Sequence, residues 1–238
     1  MTADNQRRTK GRRTREAILN RAVDLASVEG LQRLTIGRLA GEMGMSKSGL
    51  FAHFGSKDEL LLATVEKARE TFEEQVMRPA LVADRGLPRL WSLCQAWLDY
   101  ASGAVFPGGC FFTAASAEFD SRPGQVRDAI ADTMRDWLRS LERAVGLAAE
   151  VGHVSTEVDP AALAFELHAL SMGANWAWLL LDDSSAFDRV RARLKDRLET
   201  LALPGAPALT MNAAVAASVD AQPDDEAGPP GGVALDEA

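Results

Sequence analysis

Apolar residues recur three and four positions apart along most of this chain, and no stretch alternates apolar and polar residues between turn signals. That spacing predicts an all-α fold. The first helix is expected over roughly Thr14 to Val28, with Ile18, Leu19, Ala22, Leu25 and Ala26 facing inward and Gly30 beyond its end. Thr35 then reads as an N-cap, followed by Ile36, Leu39, Ala40 and Met43 at helical spacing. Gly44 breaks the pattern, and Ser46 caps a second short helix carrying Leu50, Phe51 and Phe54. Ser56 and Glu59 form an S-x-x-E capping box that opens a longer helix, expected to run past Phe72 and Val76 to about Met77, where Pro79 stops it. Further helices are expected at about 87–104, 110–120, 124–148, 159–182 and 185–202.

A short helix, a glycine turn and a second short helix make a helix-turn-helix unit, whose second helix can enter a DNA major groove. The wording is more specific than the spacing. From about Arg15 to Leu62 the chain resembles the DNA-binding domain of the TetR family of bacterial transcriptional regulators, chiefly at Leu34-Thr35, Leu39-Ala40, Gly44-Met45-Ser46, Gly49-Leu50-Phe51, His53-Phe54 and Ser56 to Leu61. The run Gly109 to Phe119 is similar, more loosely, to a later helix in some branches of that family. The resemblance implies a three-helix DNA-binding domain over 14–60, behind a basic disordered arm at 1–13, and a helical effector-binding and dimerisation domain over 61–203.

Matched position by position, the second helix of the motif is expected to supply the base readers Lys47, Ser48 and Ala52. Lysine can donate to guanine O6 and N7, serine can donate or accept, and alanine suits a thymine methyl. Thr35, Gly49, Phe51, His53 and Lys57 match positions that meet the phosphate backbone, with Phe51 standing where members usually carry Tyr. Thr35 sits at a helix N-terminus, where N–H groups and the dipole favour anions. Arg38 is a further phosphate candidate.

The net charge of −8 looks wrong for such a partner until it is divided. Residues 1–60 carry 11 Lys/Arg against 7 Asp/Glu, a net of +4, and the remainder carries 15 against 27, a net of −12. Arg7, Arg8, Lys10, Arg12, Arg13 and Arg15 concentrate the positive charge, an arrangement suited to displacing phosphate counterions. Residues 204–238 hold five prolines, no Lys or Arg and several acids, so they are read as an acidic disordered tail.

One short recognition helix reads few bases, so these modules work in symmetric pairs. The expected dimer interface comes from the last two helices: Phe165 and Trp178 on the first, and Phe187, Val190, Leu194 and Leu198 as a narrow seam on the second. Bulky residues in the middle helices, Trp91, Trp97, Phe111, Phe112, Trp137, Met172 and Trp176 with His168, are candidates for an effector pocket, or plain core. Glu118 and Asn175 are polar groups on otherwise apolar faces.

No G-x-G-x-x-G, G-x-S-x-G, H-E-x-x-H, P-loop or C-x-x-C occurs, and His53, His153 and His168 lack ligand or catalytic spacing. No enzyme activity, cofactor or metal is therefore expected. Cys94 and Cys110 read as small buried hydrophobes. With no apolar run of membrane length and no signal-peptide core, the expected home is the cytoplasm. The resulting expectation is a homodimeric regulator that binds double-stranded operator DNA, most naturally a repressor released by a small apolar or amphipathic effector. Activation, or effector-independent DNA binding, remains open at this point.

Overall fold

The computed structural model describes residues 3–210, without the side chains of residues 3–8 and 104. The named helices are α1 (Ala3–Glu29), α2 (Ile36–Glu42), α3 (Lys47–Phe54), α4 (Lys57–Phe72), α5 (Leu87–Asp99), α6 (Phe111–Phe119), α7 (Gln125–Glu150), α8 (Pro160–Leu181) and α9 (Ala186–Leu201). The chain forms two compact units, Met1–Glu73 with Cys110–Asp136, and Glu74–Gly109 with Trp137–Ala238. The first unit is therefore larger than the stretch 14–60, because it also contains the end of α4, all of α6 and the start of α7.

In the first unit the expected caps form. Thr35 Oγ1 accepts from the Arg38 N–H, Ser46 Oγ from Gly49, and Ser56 Oγ from Glu59, each at 3.1 Å. Each bond satisfies a backbone donor that the helix start leaves open, worth about 1 kcal/mol. Ile18, Ala22 and Val23 of α1, Leu39 of α2, Leu50 of α3 and Leu60 and Val65 of α4 are all buried. Burying one such leucine contributes roughly 1.5–3 kcal/mol, and these residues fix how α3 is presented.

One expectation is corrected here. Residues 1–13 were expected to be a disordered arm, whereas α1 begins at Ala3 and carries Lys10, Arg12 and Arg13 on exposed helical positions. Arg15, expected with that arm, lies over the Phe54 ring at 4.9 Å, a cation–π contact between α1 and α3.

In the second unit α8 and α9 form an antiparallel pair. The turn between them places Asp182 in the left-handed region at φ 52°. Asp159 Oδ1 caps α8 through the N–H groups of Ala161 and Ala162. Ser185 does not cap α9: its hydroxyl donates to Asp183 Oδ1 at 2.7 Å, and Asp183 also accepts from the Ser185 N–H. Arg197 donates to both oxygens of Glu166 at 2.8 and 3.0 Å, tying α9 to α8.

Two π-turns escape any propensity argument. One, Glu73–Met77, follows α4 and leads to a one-turn helix at Arg78–Ala80, so Pro79 sits in a first turn rather than ending the rod. The other, Tyr100–Ala104, ends α5, with Gly103 at φ 88°. A Cβ on Gly103 would stand 2.9 Å from the Trp178 ring, so both backbone and space require glycine.

The ordered body also runs beyond the expected boundary at Leu203. The Leu203 N–H donates to the His153 carbonyl, and Leu209 is buried. The rest of the expected acidic tail, 211–238, lies outside the described residues. No described helix is long and apolar enough to cross a membrane.

Candidate nucleic-acid interface

Helix α3 divides into two faces. Leu50 and Phe54 point into the first unit, while Lys47, Ser48, Phe51 and Ala52 are exposed along one side. The three expected base readers thus share a solvent face of a helix whose own start is capped. The Lys47 stem crosses α2: a Cβ on Gly37 would meet Lys47 Cε at 3.3 Å. Contact along the methylenes positions the ammonium without consuming its donors. Ser48 Oγ lies 3.3 Å from the capping Ser46 Oγ.

The expected backbone contacts ring this face. Thr35 is exposed at the start of α2 and Lys57 at the start of α4. Lys57 Nζ donates to the Gln32 carbonyl at 2.8 Å, leaving two of its three ammonium donors for another acceptor. His53 is half-buried in the last turn of α3, its ring 6.4 Å from that of Phe54. The Gly49 N–H is already taken by Ser46, so Gly49 offers close approach rather than a donor. Arg38, the further phosphate candidate, is exposed and engaged in surface ion pairs. It pairs with Glu29 and Glu42, which together push its pKa up, and Glu42 is also held by Arg21. The Glu42 carboxyl is lowered first by the Arg21 hydrogen bond and then by Arg38.

A carboxylate that sequence could not place supports this region. Glu118, on α6, accepts from the backbone N–H groups of Leu31 and Gln32 at 3.0 and 2.9 Å. The turn it holds begins at Gly30, φ 92°, where a Cβ would stand 2.8 Å from Glu118 Oε1. Glu118 is thus a structural clasp, with its oxygens occupied. The partners lie 87 and 86 residues away along the chain, which is why local pattern gave no sign of them.

Residues 18–64 match the family model described as "Bacterial regulatory proteins, tetR family", and residues 86–194 match "Tetracyclin repressor-like, C-terminal domain". This chain belongs to the TetR family of transcriptional regulators. It is a DNA-binding regulator of that family, whose members act by binding DNA and not by catalysis. Its fold is similar to that of a TetR transcriptional regulator from Chloroflexus aurantiacus J-10-FL, with a TM-score of 0.76 at 23% identity, covering 82% of this chain and 98% of that one. It is also similar to AibR in complex with isovaleryl coenzyme A and operator DNA, with a TM-score of 0.62 at 22% identity over 79% and 97% of the two chains. The nucleoid occlusion factor SlmA of Haemophilus influenzae (strain PittGG) is 30% identical over 77 residues, which is 32% of this chain and only 35% of SlmA.

The residues expected to pair chains or to line an effector pocket divide between covered and exposed positions. Phe187, Leu194 and Leu198 of α9 are 7%, 0% and 0% exposed within a single chain. Side chains already this covered have little surface left to lose to a partner. Val190 is only partly exposed, and Trp178 packs edge-on against Phe187 at 5.7 Å. The outward apolar residues lie on α8: Phe165 at 68%, Trp176 at 55% and Leu180 at 64% exposed. At 100° per residue they fall within about 60° of one another, a single stripe along the helix. Phe165 was expected there. Trp176 was expected in a pocket, and its exposure moves it to this stripe.

The other pocket candidates are mostly closed core. Trp91, Trp97 and Trp137 are buried in the second unit, and Phe111 and Phe112 in the first, where Phe112 meets Phe72 edge-on at 6.0 Å. Met172 is partly exposed. Trp137 Nε1 donates to His168 Nδ1 at 3.2 Å, and the Trp97 ring stands edge-on to the imidazole. Nδ1 therefore carries no proton, and burial pulls the His168 pKa down to about 4. A cavity of about 160 Å³ opens elsewhere in the second unit, floored by Leu93, Ala144 and Leu147 and edged by Arg89 and Arg143. None of the expected pocket residues lines it. Both cysteines are buried thiols outside any disulfide, and burial pushes the Cys94 thiol up to about 12.

Proposed function

We propose that this TetR-family chain is a homodimeric repressor that reads a palindromic operator with two α3 helices and is released by a small apolar or amphipathic effector. The observation that carries the reading is the pairing of two solvent-facing features in one chain. One is the Lys47, Ser48 and Ala52 face of α3, and the other is the Phe165, Trp176 and Leu180 stripe of α8. A soluble chain rarely leaves large apolar side chains in a continuous row unless a partner covers them. A twofold pairing through α8 would present two recognition helices, each to a half-site about 34–36 Å from the other or at a multiple of that spacing. Lys47, Ser48 and Ala52 then read base edges, while Thr35, Gly49, Phe51, His53 and Lys57 fix register on the backbone.

Release follows from linkage. An effector that favours a geometry unable to dock both half-sites lowers operator affinity by the factor by which operator lowers effector affinity. Acyl-coenzyme A thioesters are the first class to screen, because AibR has been seen with isovaleryl coenzyme A and operator DNA together. The expected site is the second unit, where the small cavity beside Arg89 and Arg143 would have to enlarge toward the 300–1,000 Å³ of ordinary ligand pockets.

The test is a titration of the purified chain onto fragments of its own upstream region, with and without the effector panel. A single preferred fragment, bound by two chains and released by one panel member, supports the reading. Equal binding to all fragments, or release by no panel member at saturating concentration, counts against the operator or the effector part respectively.

A further inference from the structure

The first unit contains an opening that shares Lys57 with the DNA-reading face. It has a volume of about 380 Å³ and is lined by the first turns of both α4 and α7. Lys57, Arg122 and Arg127 bring three positive charges to it, against one carboxylate, Asp58. The first-turn N–H groups of the two helices add partial positive charge from two directions. Its wall is apolar, with Leu61, Phe119 and Val126 all buried. Among the described residues the Arg122 side chain makes no ion pair or hydrogen bond, while Arg127 donates its Nε to the Asp120 carbonyl at 3.2 Å and pairs with the Asp128 carboxylate at 3.5 Å.

With Asp58 in the lining and Asp128 paired to Arg127, the opening keeps a net positive charge, led by Arg122, that favours an anion. We infer that this cavity binds a small amphipathic anion, a carboxylate or phosphate on a short apolar body. Its head would meet Lys57, Arg122 and Arg127, and its body would cover Leu61, Phe119 and Val126. The volume lies within the range that holds a small organic ligand. The guanidinium groups suit the planar or tetrahedral oxygens of either head.

The site also reaches the DNA-reading machinery. Lys57 is shared: its ammonium bonds the Gln32 carbonyl, and the Gln32 N–H is held in turn by Glu118. An anion in the cavity draws the remaining Lys57 donors away from any phosphate of the operator. Binding in the cavity stands without the operator reading, whereas this competition rests on it.

The experiment uses the full chain and three probes: hexyl phosphate, hexanol and inorganic phosphate. Calorimetry gives the affinities, and amide chemical shifts locate the site. Hexyl phosphate is expected to bind at least tenfold tighter than either control, shifting the amides of Arg122, Gln125 and Val126. Arg122→Gln and Arg127→Gln are each expected to weaken it at least fivefold. The ratio of operator Kd with and without hexyl phosphate is expected to fall toward one in Arg122→Gln. Equal binding of hexanol, or shifts confined to the second unit, or undiminished affinity in both variants, overturns the site. A located, variant-sensitive site that leaves operator affinity untouched keeps the cavity and removes the competition.

Discussion

Replacing Trp176 by alanine tests what covers the α8 stripe. A large aromatic presents up to roughly 250 Å². At 55% exposure, about 140 Å² of Trp176 remains open to solvent in one chain. Covering that area at about 25 cal/mol per Å² contributes roughly 3 kcal/mol. A twofold interface uses the same patch on both chains, so the substitution acts twice. Alanine keeps part of the contact, and the loss is then about 4–6 kcal/mol, or a thousandfold and more in the dimer dissociation constant. Sedimentation velocity over a wide concentration range measures it directly. The helix should survive, because an exposed Trp→Ala change removes no core contact and raises helix propensity. A dissociation constant within threefold of the parent, with helicity intact, would refute the assignment of this face. The same experiment on Leu194→Ala separates the two candidate surfaces: that change should lower stability by about 2–5 kcal/mol as a core cavity, through folding and not through pairing.

Two further outcomes follow from buried polar groups. Glu118→Ala removes two charge-assisted bonds to backbone N–H groups, so thermal unfolding should begin roughly 5–15 °C lower, corresponding to about 2–4 kcal/mol, with Glu118→Gln in between; a midpoint within 2 °C of the parent would remove the clasp from the account. His168, whose folded pKa is held near 4, binds fewer protons folded than unfolded between that value and its ordinary 6.5. Its contribution is complete above about pH 6.5 and is lost as pH falls toward 4, so stability should rise with pH across that window. His168→Gln should flatten that rise, as read from urea midpoints at several pH values, and an unchanged slope would assign the acid sensitivity to other groups.

Much of the fold was legible because its signals are local. Thr35, Ser46 and Ser56 each cap the helix their spacing announced, since a cap needs only its own three following residues. Ser185 shows the limit: the neighbouring Asp183 carboxylate is the stronger acceptor and takes the hydroxyl. The seam of α9 illustrates a second limit. Periodicity says that Leu194 and Leu198 are buried but cannot say against what, and the cover turned out to belong to the same chain. On α8 the apolar residues run around most of the circumference, so sequence could not choose which side faces out. Sequence alone therefore points Trp176 inward, and it cannot find the backbone partners of Glu118, which lie 86 and 87 residues away. The DNA-reading face was the easiest to place, because its residues lie on one eight-residue helix.

The central claim is that paired α3 helices read two adjacent stretches of major groove, and hydroxyl-radical footprinting on the chain's own upstream DNA tests it most directly. The account predicts two protected patches with twofold symmetry, about one helical turn apart or at a multiple of that, at a stoichiometry of at least one dimer. With Lys47→Ala the footprint should weaken by about 1–3 kcal/mol and lose its preference at one symmetry-related base pair in each half-site. Uniform protection along the fragment, or an unaltered footprint in the variant, would contradict it.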